Sequence, residues 1–389
     1  MIAPELQSLL EPLERFEQIR RGVARLGDRL CDLSYANPYA GVESSARAAL
    51  RDALSEERAL DLQYTPFGGQ ALARRAVADA QRERHGLALT ASDVVLTPGA
   101  MAAIHIALLT AGRPGDEVLI PIPCWLDYPL FARHAGLVPK LLPLAEDRRF
   151  ELDVGEIAAA VSERTCAVLL CQPANPTGRT YTADSLVALG EVLRLAEERH
   201  GRPITLIADQ THMDFITERR DDPAPATAFA RTVIVYSFGK YHFMQGQRLG
   251  YAAVSPDHPE REQASQELVR WTRITGFATP TALMQRALPR LLALEHDHSW
   301  LGSSRRQVVD RLRDAGYEVS EPDATMFVYA RTPAAYADDF AFVEALARRG
   351  VLALPAPVFH HSGYFRLSLT ATGGALERGL PVLEAAVEG

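Results

Sequence analysis

Between residues 93 and 255 two kinds of apolar segment alternate along the chain. The short ones are DVVLTPG, EVLIPIP, LVPKLLPL, CAVLLCQP, ITLIAD, TVIVYSFG and RLGYAAVS. Between them lie AMAAIHIALLTAG, WLDYPLFARHAG, VGEIAAAVSE and SLVALGEVLRLAEERHG, with apolar residues at helical spacing. Short unbroken apolar runs suit strands buried on both faces, and the helices between them suit crossovers linking parallel strands. The pattern predicts an α/β fold with three layers, α/β/α, around a mainly parallel sheet.

After about residue 255 the pattern changes. Three helical segments come in succession, EREQASQELVRWTRI, TALMQRALPRLLALE and SSRRQVVDRLRDAG. Strand-like TMFVYAR, helical FAFVEALARRG, strand-like YFRLSLT and helical ALERGLPVLEAAV complete the chain. The expected organisation is an arm over residues 1–40, a large domain over 41–275 and a smaller α+β C-terminal domain over 276–389. The arm is expected to pack on the small domain or on a partner subunit.

Composition narrows the classes of function. The 389 residues carry a net charge of −8, without the basic stripe of a nucleic-acid binder. No apolar run approaches the ~18 residues that would span a bilayer, so no membrane association is expected. The first 21 residues read as an amphipathic helix, without the basic and apolar regions of a secretory signal. Four cysteines show no metal-binding spacing, and Cys166 and Cys171 flank the apolar AVLL. Buried thiols and a cytoplasmic setting follow. No GxGxxG, Walker A or GxSxG motif occurs. His296 and His298 in EHDHSW lack a third ligand and read as an exposed helix-end cluster, so no metal site is expected.

One residue choice stands out. Of 41 basic residues only Lys140 and Lys240 are lysines. Lysine can form an imine with an aldehyde; arginine keeps its proton and cannot. Lys140 lies in a half-exposed run and reads as surface charge. Lys240 follows the strand TVIVYSFG, at the strand end where open α/β sheets bind ligands. Ser237 and Arg248 lie within the same twelve residues. A hydroxyl, an imine-forming amine and a guanidinium fork together suit a ligand carrying both phosphate and aldehyde.

The arrangement S-x-x-K-x-x-x-x-x-G-x-R-x-G-Y over Ser237–Tyr251 resembles the pyridoxal-phosphate lysine motif of class I/II aminotransferases, the fold type I family. The resemblance runs from about residue 30 to the C-terminus. It implies pyridoxal 5'-phosphate as cofactor, held by Lys240 as an aldimine. Asp209, in ITLIADQTH, would pair with the pyridine nitrogen and keep it protonated. Asn175, in QPANPTG, would bond the ring oxygen, though alone it reads as a generic Asn-Pro turn. Trp125 would stack on the ring. Gly99, Ala100 and Met101 open a helix whose free N–H groups can hold phosphate, with Ser237 and Arg248. Tyr64, in LQYTPFGG, would reach the phosphate in a neighbouring subunit, which implies a homodimer. Arg366, in GYFRLSLT, would clamp the substrate α-carboxylate, with Asn175 and Asn37 as further substrate contacts. A buried strand arginine needs such an anion. Tyr35, Tyr39, Tyr128 and Phe359 are further candidates for the pocket wall.

Three positions depart from the family pattern. His212 stands where a tyrosine usually donates to the ring oxygen, Gly239 where serine is frequent, and Met101 where a hydroxyl or amide is common. Imidazole, with a pKa of ~6.5 against ~10 for tyrosine, can serve as a second acid or base. His242, His360 and His361 are further polar candidates near the substrate, with surface or packing roles as the alternative. The expected activity is amino transfer at the α-carbon of an amino acid, through an external aldimine and a quinonoid. The alternative is a lyase or synthase of specialised metabolism, working by β- or γ-elimination, replacement or cyclisation, with S-adenosylmethionine as one possible substrate. No second arginine is assignable to a distal carboxylate, so a dicarboxylate is not the favoured substrate. A DNA-binding regulator built on this fold is set aside, because the first 30 residues are too short for the DNA-binding module and the chain is acidic.

Overall fold

The computed structural model describes residues 2–37, 43–55, 62–216, 224–371 and 373–389. Helix α1 (Pro4–Val23) leads to a short strand β1 (Cys31–Asp32) and to helices α2 (Ser44–Ser55) and α3 (Ala71–His85). Strands and helices then alternate: β2 (Val94–Thr97), α4 (Ala100–Ala111), β3 (Glu117–Ile122), α5 (Tyr128–His134), β4 (Val138–Pro143) and α6 (Val154–Ala160). The alternation continues through β5 (Thr165–Cys171), α7 (Ala183–His200), β6 (Thr205–Asp209) and α8 (Pro225–Ala228). Strand β7 (Thr232–Ser237) runs into a single helical turn, α9 (Phe238–Tyr241), and then β8 (Gly250–Val254). Three helices follow: α10 (Arg261–Ile274), α11 (Ala282–Leu292) and α12 (Ser299–Asp314). The chain ends with β9 (Val319–Ser320), β10 (Phe327–Arg331), α13 (Asp339–Arg348), β11 (Val351–Leu352), β12 (Leu354–Pro355), β13 (Tyr364–Ser368) and α14 (Gly373–Glu384).

Seven strands form one sheet in the order β2-β8-β7-β6-β5-β3-β4. Strand β8 is antiparallel to both β2 and β7, and the other pairings are parallel. The apolar run RLGYAAVS therefore forms a strand that reverses direction. Only one helical turn and a short loop separate β7 from β8, too little chain for a parallel crossover.

Side chains alternate across the sheet, and each face is covered. Val95, Ile120, Leu169, Ile207 and Val235 pack with α4, α5 and α10. On the other face Val168, Leu170 and Leu206 meet α7. Further along that face, Val94, Leu96, Ile234 and Ala253 meet α2, α3 and α11. Helix α7 shows why such segments form. Thr182 caps it by accepting from the Ser185 N–H, and Leu186, Leu189, Leu193 and Ala196 bury one stripe.

A second, antiparallel sheet has the order β12-β13-β10-β9. Strand β1 pairs with β11, Cys31 opposite Val351, and α1 lies against α13. Residues near the N-terminus thus return to the C-terminal part of the chain. No helix among the described residues is long and apolar enough to cross a membrane. All four cysteines are buried and free.

Candidate active site

The ends of five strands bring the chemistry together. Gly99 follows β2, Trp125 follows β3, Asn175 follows β5, Asp209 ends β6 and Lys240 follows β7. These are the carboxyl ends of strands that run the same way, where an open sheet leaves a crevice. One cavity there is lined by Ala100, Met101, Trp125, Asn175, Asp209, His212, Ser237, Lys240 and Arg248. With Tyr128, ten residues singled out from the sequence thus line one cavity.

Gly99 has φ 92° and caps α4. A Cβ at this position would sit 2.4 Å from Arg248 Nη2, so glycine lets the guanidinium lie over the helix N-terminus. The Gln245 carbonyl accepts from Arg248 Nη1 at 2.8 Å and sets its direction. A cation beside the unpaired first-turn N–H groups makes a cradle for a dianion. Gly99→Ala combines a positive-φ penalty with displacement of Arg248. It should weaken retention of a phosphate-bearing ligand about tenfold, by about 1–2 kcal/mol. Equilibrium dialysis against pyridoxal phosphate measures this, and unchanged retention would place the phosphate elsewhere.

Asp209 is buried with three donors on its carboxylate. Tyr128 Oη donates to Oδ2 at 2.7 Å; Thr211 donates to Oδ1 from its N–H at 2.9 Å and from its hydroxyl at 2.5 Å. Burial pushes the Asp209 carboxyl above its ordinary range, while these donors and the Lys240 charge offset part of that. A carboxylate so placed gains from a cationic N–H partner.

Burial, with the charges of Arg366 and Arg248, brings the Lys240 amine down to about 8. Near neutral pH a useful fraction is therefore uncharged and nucleophilic. The backbone also explains Gly239: a Cβ there would lie 2.9 Å from the Gln245 Cα, so serine does not fit without a backbone shift.

Arg366 is buried on β13, with its guanidinium 4.0 Å from the Phe327 ring centre and 4.9 Å from that of Phe359. Nη1 donates to Asn175 Oδ1 at 2.8 Å and Nη2 to the Ser34 carbonyl at 2.7 Å; Nε has no partner among the described residues. Burial lowers its pKa to about 9, which still leaves it charged at neutral pH. Its hydrogen-bond partners among the described residues are neutral oxygens, so an anion is wanted here.

Other expected residues lie elsewhere. Tyr64 is fully exposed, and neither it nor the exposed Asn37 lines the cavity. Tyr39 falls outside the described residues. The Tyr35 hydroxyl bonds Glu17 Oε1 at 2.5 Å. His360 Nε2 donates to the Leu126 carbonyl, and His361 Nδ1 meets the Tyr329 hydroxyl. His298 is buried rather than exposed, and donates from Nε2 to the Tyr241 carbonyl. His296 Nε2 lies 2.7 Å from His242 Nδ1. His242, His296 and His298 pack around Tyr241 of the lysine turn, and no group of three or more potential metal ligands occurs among the described residues.

Sequence reasoning missed Thr211, Gln245, Cys171 and Ile104. It named Tyr128 without its bond to Asp209. Thr211 had a signal, because a threonine two residues after an aspartate readily closes a side-chain turn. The others had none.

The chain is similar to known proteins over most of its length. The family model described as aminotransferase class I and II matches residues 32–380. A petunia protein named bifunctional aspartate aminotransferase and glutamate/aspartate-prephenate aminotransferase is 36% identical over 202 residues, 50% of this chain and 40% of its own. A probable aspartate/prephenate aminotransferase of Aquifex aeolicus is 27% identical, over 84% of this chain and 83% of its own. A solved structure of an amino transferase from Eubacterium rectale superposes with a TM-score of 0.89 at 22% identity, covering 99% of this chain and 98% of that one. That likeness concerns the fold.

Proposed function

The chain belongs to the class I and II aminotransferase family and is a pyridoxal-phosphate-dependent transferase, and from that premise we propose that it moves the amino group of an α-amino acid using Lys240, Asp209 and Arg366. The observation that carries this is the facing pair in one cavity: a buried lysine with a lowered pKa and a buried, triply donated aspartate. The residues fit the cofactor. Gly99, Ala100, Met101, Ser237 and Arg248 suit its phosphate, Trp125 its ring face, Asp209 its ring nitrogen and Lys240 its aldehyde. When bound, pyridoxal phosphate supplies a ring that accepts electrons from the α-carbon.

The rest is work for side chains of this chain. Arg366 holds the α-carboxylate in a fork, and the Phe327 and Phe359 rings fix the plane of that fork. Arg366 occupies Asn175 Oδ1, which leaves the Asn175 amide N–H groups to donate. Asp209, held by Tyr128 and Thr211, keeps a proton at the ring nitrogen. The neutral Lys240 amine takes the α-proton. Arg248 and Arg366 do not release protons near neutral pH, so among the cations of the described site Lys240 returns it.

The relatives named above are all aminotransferases, which does not favour the lyase or synthase alternative. Two of them act on aspartate by name. For this chain an amino acid with a single carboxylate is the better substrate: Lys240 and Arg248 are the only lysine and arginine that line the described cavity, and both are assigned, as is Arg366 beside Asn175. A homodimer completes the proposal, with the exposed Tyr64 reaching the phosphate of the partner's site. Four buried free thiols support a cytoplasmic setting.

The test is borohydride reduction of the protein with pyridoxal phosphate, followed by peptide mass analysis and an amino-donor panel. The label should sit on Lys240, and monocarboxylic donors should outrank aspartate. A label on Lys140 instead, or no oxo acid from any donor, would sink the reading.

A further inference from the structure

Two hydrogen bonds join segments that leave the two sheets beside the site. The segment between β12 and β13 carries Phe359 and His360; the segment between β3 and α5 carries Cys124, Trp125 and Leu126. The Cys124 N–H donates to the Phe359 carbonyl at 3.2 Å. His360 Nε2 donates to the Leu126 carbonyl at 3.0 Å. These bonds flank Trp125, which lines the cavity. They also hold the backbone of Phe359, whose ring centre lies 4.9 Å from the Arg366 guanidinium.

His360 is an unexpected residue for its backbone. It has φ 59° and ψ 29°, in the left-handed region. Glycine is at ease there, and a residue with a Cβ is strained. Such a residue persists where its surroundings hold it, often beside a functional site. Here the side chain supplies the hold. A carbonyl can only accept, so the ring carries a proton on Nε2 and donates it to Leu126. Glycine would relax the backbone but could not make this bond.

We propose that His360 is a positioning residue, a clasp that keeps Phe359 and Arg366 in register with Trp125 before substrate arrives. This rests on the proposed function, in which Trp125 faces the cofactor ring and Arg366 takes the α-carboxylate. Without the clasp, the two segments spend part of their time out of register, and substrate binds only the registered fraction. Apparent affinity falls in proportion to that fraction. Once substrate is bound, its carboxylate holds Arg366 in place, and the chemical step is unaffected. Loss of the clasp therefore raises KM and spares kcat. A residue that merely braces the fold gives the opposite pattern, a lower Tm with KM unmoved.

The experiment compares His360→Gly and His360→Gln with the wild-type holoenzyme. In His360→Gly, relief of the backbone offsets loss of the bond, so Tm should stay within a few degrees. KM for the best amino donor should rise about three- to tenfold, the worth of one hydrogen bond, with kcat within about twofold. His360→Gln keeps an N–H at a similar reach and should bring KM back to within about twofold of the wild type. A second readout needs neither substrate nor turnover. Hydrogen exchange of the peptide that contains Cys124 should quicken in His360→Gly, because its N–H is bonded to Phe359. An unmoved KM in His360→Gly, a fall in kcat alone, no recovery in His360→Gln, or unchanged exchange overturns the proposal. Borohydride labelling of Lys240 in the same preparations separates the two layers. A failed label condemns the cofactor reading, and exchange at Cys124 still judges the clasp. A good label with an unmoved KM condemns only the role of His360.

Discussion

Lys240→Arg should lower amino transfer by at least about 10⁴-fold, combining loss of the nucleophile with loss of the general base. The substitution preserves charge and approximate length, so the phosphate cradle at Gly99 and Arg248 should survive. What disappears is the ability to become neutral. The wild-type amine is pulled down to about 8 by burial and by two neighbouring guanidinium groups. Its neutral fraction rises with pH and levels off above that value. Capture of the aldehyde by apoenzyme should follow the same curve, with a midpoint near 8 and a roughly tenfold loss of rate per pH unit below it. Stopped-flow absorbance of apoenzyme mixed with pyridoxal phosphate reads this directly. A midpoint near the ordinary lysine value of ~10.4 would mean the amine is solvated in solution. Turnover surviving in the arginine variant would remove Lys240 from the chemistry.

Much of this site was legible because strand ends are legible. Apolar runs with abrupt polar stops place Asp209 and Lys240 at the carboxyl edge of the sheet, and parallel topology then puts those edges side by side. The choice of lysine in an arginine-rich chain adds chemistry to the position. What remained hidden depends on contacts that no local pattern encodes. Arg366 and Asn175 are 191 residues apart in sequence, and only the meeting of the two sheets makes Asn175 an acceptor for that guanidinium. Tyr128 looks like an ordinary helix residue until β3 and β6 bring its hydroxyl to Asp209. The reversal at β8 was hidden too, because buried antiparallel and parallel strands share the same apolar run. His298 read as exposed from a polar neighbourhood, yet the lysine turn covers it.

Arg366→Met should separate binding from stability. Removing the fork from the α-carboxylate should cost about 2–5 kcal/mol of transition-state binding, or about 30-fold to several-thousand-fold in kcat/KM. The loss should be selective. An amine without a carboxylate gains nothing from Arg366, so its rate should hardly move, and the preference for amino acid over amine should collapse. Stability should behave differently. The guanidinium is buried between two aromatic rings and, among the described residues, bonded only to the Asn175 amide and the Ser34 carbonyl, with no partner for Nε. Replacing it relieves a desolvation cost of several kcal/mol. Two acceptors lose their donors at about 1–3 kcal/mol each. These terms nearly cancel, and a methionine can pack between the rings. Tm should therefore stay within a few degrees of wild type while amino-acid turnover falls. Equal losses on amino acid and amine would show that Arg366 supports the fold of the site rather than the carboxylate. A large drop in Tm would show that its two neutral acceptors, not an absent anion, are what holds the guanidinium in place.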